Sequence, residues 1–183
     1  MRAGFLLRQT KTGSGTFTKV FATVIKSSLR AAIIRQLQDE LARQAGAAHS
    51  ARDEAISEES RAENKWDTHS QEAAYLAEGQ AKLAADIRTS IELYSTLPLP
   101  EFETGAAIAL GAVVELAGAD GLHKWYLLGP RAGGMEIDVD GRRFLVVTPH
   151  SPLGRQLIGK SAGDEVQVAA RGTPAMLRIM SVQ

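Results

Sequence analysis

Apolar side chains recur in two stretches of the chain at steps of three and four. The first stripe is Ile34, Leu37, Leu41, Gln44, Ala48, Ala51, Ala55, and the second is Ala73, Leu76, Gln80, Leu83, Ile87, Ile91, Tyr94. That spacing holds a narrow stripe on one face of an α-helix, as a coiled-coil seam requires. The stripes mirror each other about residue 62: Leu41 reflects onto Leu83, Leu37 onto Ile87, Ala48 onto Leu76, Ala51 onto Ala73, and polar Gln44 onto Gln80. Two antiparallel helices joined by a turn near residue 62 satisfy this symmetry. Ser60 and Asn64 are the candidate turn and cap residues, and Asn64 with Asp67 resembles a capping arrangement. Each arm has about 30 residues, so at ~1.5 Å per residue the hairpin reaches roughly 45–50 Å. On periodicity alone, a plain coiled-coil spacer or dimerisation element is the simpler explanation of the pattern.

Beyond the hairpin the pattern changes. Leu97-Pro98-Leu99-Pro100 forbids helix continuation and marks a domain boundary. Strand-like runs then alternate with turns: Ile108–Leu116, Leu122–Leu128 after a turn with Gly118 and Asp120-Gly121, Phe144–Val147, Val166–Ala169 and Ala175–Met180. Between the third and fourth runs, Ser151 as cap, Pro152 at the first helical position and Gly159 past the end predict one short helix. The expected fold class is α+β: an N-terminal antiparallel coiled-coil hairpin over residues 26–97, with its tip near 60–64, followed by a small antiparallel β domain over residues 101–183. Residues 1–25 carry only a short apolar run, Phe5–Leu7, too short for a signal-peptide core, and are expected to form a poorly ordered extension.

Composition narrows the chemistry. Residues 26–95 contain Gly46 and Gly79 and no proline, and are rich in Ala, Glu, Gln, Lys and Arg, all good helix formers. The 21 basic and 21 acidic side chains of the 183-residue chain cancel, which argues against electrostatic binding of nucleic acid by the whole protein. The chain has no cysteine, so disulfides, thiolate zinc sites and cysteine nucleophiles are excluded, and the lack fits the cytoplasm. No run approaches the length of a membrane span. The histidines His49, His69, His123 and His150 are scattered without metal-ligand spacing, and no phosphate-binding loop or nucleophile elbow is present. The one concentration of ionisable groups is the hairpin tip, where Asp53, Glu54, Glu58, Glu59, Glu63 and Asp67 surround the reflection point beside Arg52, Arg61 and Lys65. Such clusters are usually solvated helix ends. Carboxylates at the end of a long probe can also carry hard oxygen ligands to a Mg²⁺ ion inside another enzyme.

The run Val147-Thr148-Pro149-His150-Ser151-Pro152-Leu153-Gly154-Arg155-Gln156-Leu157-Ile158-Gly159-Lys160-Ser161-Ala162-Gly163-Asp164-Glu165-Val166 resembles the C-terminal signature of Gre-type bacterial transcription elongation factors. There a strand leads to Ser-Pro-apolar, a short helix ending apolar-Gly-Lys, and Gly-Asp before another strand. Residues 58–68 resemble the tip of a subgroup of short Gre-like proteins, and the resemblance covers roughly residues 26–183. It implies an FKBP-like C-terminal domain that docks on RNA polymerase through His150, Ser151 and Pro152, with His150 where Asp or Asn is common. It also implies a coiled coil entering the polymerase secondary channel, where the tip carboxylates Glu63 and Glu59 would help hold the polymerase's catalytic Mg²⁺ for cleavage of backtracked RNA. The protein would then be a cytoplasmic monomer with no active site or cofactor of its own, indirect contact with nascent RNA and no contact with membrane. One position departs from the pattern: cleavage factors carry Asp-x-x-Glu-Asn, and Ser60 stands at the Asp position before Glu63-Asn64. A non-cleaving regulatory occupant of the channel is therefore an alternative, as is a coiled-coil adaptor unrelated to transcription. A prolyl isomerase is a further class. Its aromatic candidates are Trp125, Tyr126 and Phe144, and the neighbours Trp125 and Tyr126 would point to opposite faces of a strand.

Overall fold

The computed structural model describes residues 14–56, 68–170 and 173–183, and side chains within 23–46, 72, 75–168 and 175–183. Two long helices, α1 (Ser14–Ile56) and α2 (Thr68–Thr96), precede six strands and one short helix. These are β1 (Val113–Gly118), β2 (His123–Leu128), β3 (Glu136–Val139), β4 (Arg142–Val147), α3 (Pro152–Leu157), β5 (Glu165–Ala170) and β6 (Thr173–Val182). The strands form one sheet in the order β3-β4-β2-β1-β6-β5. Every neighbouring pair is antiparallel except β2 and β4, which run parallel.

The helices pack as the mirrored stripes require. Leu29 and Ile33 from the first half of α1, with Leu37 near its middle, share a core with Ile87, Tyr94 and Leu97 from the end of α2 and just beyond it, which sets the helices antiparallel. Leu37, Ile87 and Tyr94 are buried, and Ile34, Leu41 and Ile91 are partly covered. Away from this end the seam opens: Leu83 is 44% and Leu76 61% exposed. Two helices alone offer each other a narrow stripe, and no third layer covers these leucines among the described residues.

Helix α1 begins earlier than expected. Residues 14–25, assigned from the sequence to a poorly ordered extension, belong to α1, and Ile25 is buried. The cause is a second stripe, Ile25, Leu29, Ile33 and Leu37, stepping by four. It faces Val113, Leu127, Ile137, Phe144 and Val146 on one side of the sheet. The base of the hairpin and the sheet thus share one hydrophobic core. The opposite side of the sheet builds a second core, in which Val114, Leu116, Tyr126, Leu128, Val147, Val166, Leu177 and Ile179 meet Leu157 of α3 and Ile108. Because the central strands are buried on both faces, they read as continuous apolar runs such as Trp125–Leu128 and Phe144–Val147.

Three details of the β domain differ from expectation. The run Ile108–Leu116 becomes a strand only at Val113, because Gly111 takes φ +86 and turns the chain. Ile108 instead pairs with the segment after α3: its N–H donates to Lys160 O at 2.7 Å, and Gly159 N–H donates to Ile108 O at 2.9 Å. Strand β3 was not anticipated. It joins β4 through Asp140-Gly141, both at positive φ (51° and 73°), the two-residue turn that Asp-Gly favours. Finally, the β1–β6 register shifts between Glu115 and Leu116. The shift lets Ile179 enter one core while Ser181 Oγ, on the other side, donates to Glu115 Oε2 at 3.0 Å.

Candidate functional site

The expected docking residues sit in the loop between β4 and α3. Ser151 is the N-cap of α3, with extended backbone (φ −69, ψ 156), and Pro152 opens the helix. The Ser151 hydroxyl accepts from Gly154 N–H at 3.0 Å and donates to Thr148 O at 2.8 Å. Thr148 O also accepts from Ser151 N–H at 3.0 Å. The single hydroxyl proton is therefore engaged inside the loop, and what Ser151 contributes is shape. His150 and Pro152 are exposed on either side of it. Ser151→Ala is expected to cost about 1 kcal/mol, the usual value of an N-cap, as a lowered urea midpoint with unchanged slope.

Behind the loop, α3 is tied to the edge of the sheet by a residue that sequence reasoning did not single out. Gln156 accepts from Gln167 N–H at 2.8 Å and donates to Gln167 O at 2.7 Å, so its amide pairs with both backbone groups of one residue of β5. Gly159, at φ +79, ends the segment in the left-handed conformation its place after the helix predicted. Asp164 Oδ2 accepts from Ser161 N–H at 2.8 Å and closes the turn before β5. The signature run thus folds as one hydrogen-bonded unit, with His150 and Pro152 exposed at its loop end.

The second part of the site is the base of the hairpin. The Tyr94 hydroxyl donates to Arg131 O at 2.7 Å, linking α2 to the loop between β2 and β3. Burial pushes its phenol well above the usual range. A methyl group on Gly129 would lie 2.1 Å from the Tyr94 hydroxyl, so only glycine allows this approach. Arg131 also pairs with Asp86 at 3.1 Å on the surface, a contact of small energetic weight. On α1, the Lys26 ammonium donates to Pro100 O and lies 4.7 Å from the centre of the Phe102 ring. Burial pushes the Lys26 amine down from 10.5 to about 8, against the opposing pull of Glu101. Between those values the unfolded chain holds the proton that the folded chain has released. Stability is therefore expected to rise with pH from about 8 towards 10.5. Lys26→Met should remove that part of the rise in denaturation curves collected across the same window.

Glu59, Ser60, Glu63 and Asn64 at the tip lie outside the described residues. Among the described residues no group of three or more His, Asp or Glu side chains is placed to hold a metal ion. Trp125 packs on Phe144 in the core facing the hairpin, with ring centres 6.0 Å apart, whereas Tyr126 enters the opposite core. The three aromatics considered for a prolyl isomerase therefore do not line one pocket. Also among the described residues, no helix is long and apolar enough to cross a membrane.

Residues 103–183 match the family model for the C-terminal domain of the transcription elongation factors GreA and GreB. Residues 103–183 are thus a domain of the GreA/GreB C-terminal type. The matched span begins just after the proline-rich junction and takes in the whole sheet, α3 and the loop carrying His150, Ser151 and Pro152. Among solved structures the chain is similar to GreA factor homolog 1 (Gfh1) of Thermus thermophilus, at 20% identity, 82% coverage of this chain and 94% of that one, with a TM-score of 0.37. It is likewise similar to Gfh1 of Thermus aquaticus, at 22% identity, 83% and 94% coverage and a TM-score of 0.37. GreA/GreB from Nitrosomonas europaea matches at 20% identity over 57% of this chain and 78% of that one, with a TM-score of 0.35. No curated protein matches.

Proposed function

We propose that the chain is an elongation factor that binds RNA polymerase in the cytoplasm, docking through the His150–Pro152 loop while its helical arm enters the secondary channel. The observation that carries this reading is the joining of two parts in one core. A two-helix arm, whose first helix alone runs 43 residues, is rooted by Leu29, Ile33 and Tyr94 in the face of a GreA/GreB domain. A slim arm with an open seam is a poor globular core and a good probe, and a domain with an outward-facing loop can hold it at a partner's surface. At the far end, Glu63 and Glu59 would offer carboxylate oxygens to the Mg²⁺ of the polymerase. The chemistry such an ion would supply there is activation of water for hydrolysis of backtracked RNA. Ser60, at the position of a family carboxylate, supplies a weaker ligand, and this favours a second reading in which the factor occupies the channel without stimulating cleavage.

The test uses purified chain and core polymerase. Co-elution in gel filtration and shortening of RNA in stalled elongation complexes are the expected results. Co-elution with unchanged RNA length leaves the second reading standing. A chain that neither co-elutes nor alters stalled complexes removes both.

A further inference from the structure

Residues 97–101 join the arm to the β domain and contain Pro98 and Pro100, which lack N–H donors. Carbonyl oxygens in this linker are gripped from α1. Lys26 Nζ donates to Pro100 O, and Arg30 Nη1 donates to Leu97 O at 3.4 Å. One turn before Lys26, Thr23 Oγ1 donates to Glu101 Oε1 at 3.3 Å. Positions 23, 26 and 30 share one face of the helix. Lys26 is 2% exposed, an uncommon placement for an ammonium. A buried cation is usually a net cost against an apolar side chain of equal size, so its use here calls for a role other than adding stability. Apolar contacts such as Ile25 and Leu29 on the sheet tolerate sliding and rotation, whereas an ammonium held between a carbonyl and an aromatic face has one place to sit.

We propose that Lys26 is a positioning residue that sets the direction of the helical arm relative to the GreA/GreB domain, by locking α1 onto the linker at Pro100 and Phe102. Its functional weight rests on the reading that loop and arm engage one partner together. The arm is a lever: the roughly 30 residues from Lys26 to Ile56 span about 45 Å, so a rotation of about 5° at the base carries the far end roughly 4 Å. Displacements of that size separate a reacting group from its target.

The chain has no cysteine, so paired Ala45→Cys and Ala119→Cys substitutions, both at exposed positions, place two spin labels without interference. Pulsed electron resonance then reads the distance distribution between arm and domain with no polymerase present. A narrow distribution is expected with Lys26. In Lys26→Met it should broaden or shift by several ångströms while the thermal midpoint is kept or raised, a combination that a merely structural lysine would not produce. An unchanged distribution, or broadening only in step with loss of the fold, overturns the proposal. If Lys26→Met does not fold, Lys26→Gln, which keeps a donor towards Pro100 O, decides: a narrow distribution supports the lock and a broad one overturns it. Loss of polymerase binding by the parent chain would sink the functional reading without altering this measurement.

Discussion

Gly129→Ala is expected to destabilise the protein by about 3 kcal/mol, from overpacking together with the loss of a buried hydrogen bond. The added methyl group would lie 2.1 Å from the Tyr94 hydroxyl, and 3.1 Å from both Tyr94 Cζ and Val146 Cγ1. Tyr94 is fully buried between the hairpin and the sheet, so its ring has no free space to enter. To make room, the hydroxyl must leave Arg131 O and stay buried without that partner. A double-mutant cycle with Tyr94→Phe separates the causes. Removing the hydroxyl relieves the closest contact, so the alanine should cost less in the Tyr94→Phe background, with a coupling above about 1 kcal/mol. Strictly additive urea midpoints would clear Tyr94 of responsibility. The same substitution should loosen the arm, because this contact is the buried link from α2 to the β2–β3 loop, the Arg131–Asp86 pair being on the surface.

The second large effect is expected at the tip, in stalled elongation complexes. If the chain stimulates cleavage, Glu63→Ala should return RNA shortening to the level of polymerase alone while co-elution with polymerase persists. A carboxylate is a hard, charged ligand that alanine does not replace. Ser60→Asp should act in the opposite direction by restoring a second carboxylate three residues before Glu63. A gain with Ser60→Asp from an inactive parent would identify that serine as the reason the parent occupies the channel without cutting. Full cleavage by Glu63→Ala would remove Glu63 from the mechanism. Neither substitution touches the His150–Pro152 loop, so changed docking would point to a different cause.

Much of the site was legible because its signals are local. Ser151, Pro152 and Gly159 announce a capped helix through the φ values and donors each residue offers, and α3 forms there with Ser151 as cap. The resemblance in the run 147–166 agrees with the family match over residues 103–183. Gln156 carried no such signal: its amide reaches β5 across the fold, to Gln167 eleven residues away. Strand β3 was missed although Asp140-Gly141 is a strong hairpin signal, because the alternating run before it, Glu136–Val139, is only four residues long. The hairpin boundary at residue 26 rests on helix-forming composition, whereas the stripe Ile25, Leu29, Ile33 runs past it and Lys26 is buried beside it.

The sequence by itself determined the two mirrored helices, the proline break at 98 and 100, the capped helix and the alternation of the β half. Each follows from the steric and hydrogen-bonding preferences of residues a few positions apart. Tertiary structure alone decided that the hairpin base and the sheet share a core, that β2 and β4 run parallel, and that Tyr94 closes on Gly129 and Lys26 on the linker. Those outcomes depend on which distant apolar faces meet, and on which polar groups are caught between them when they do. Such pairings are chosen by burial and packing across the chain, and local pattern does not encode them.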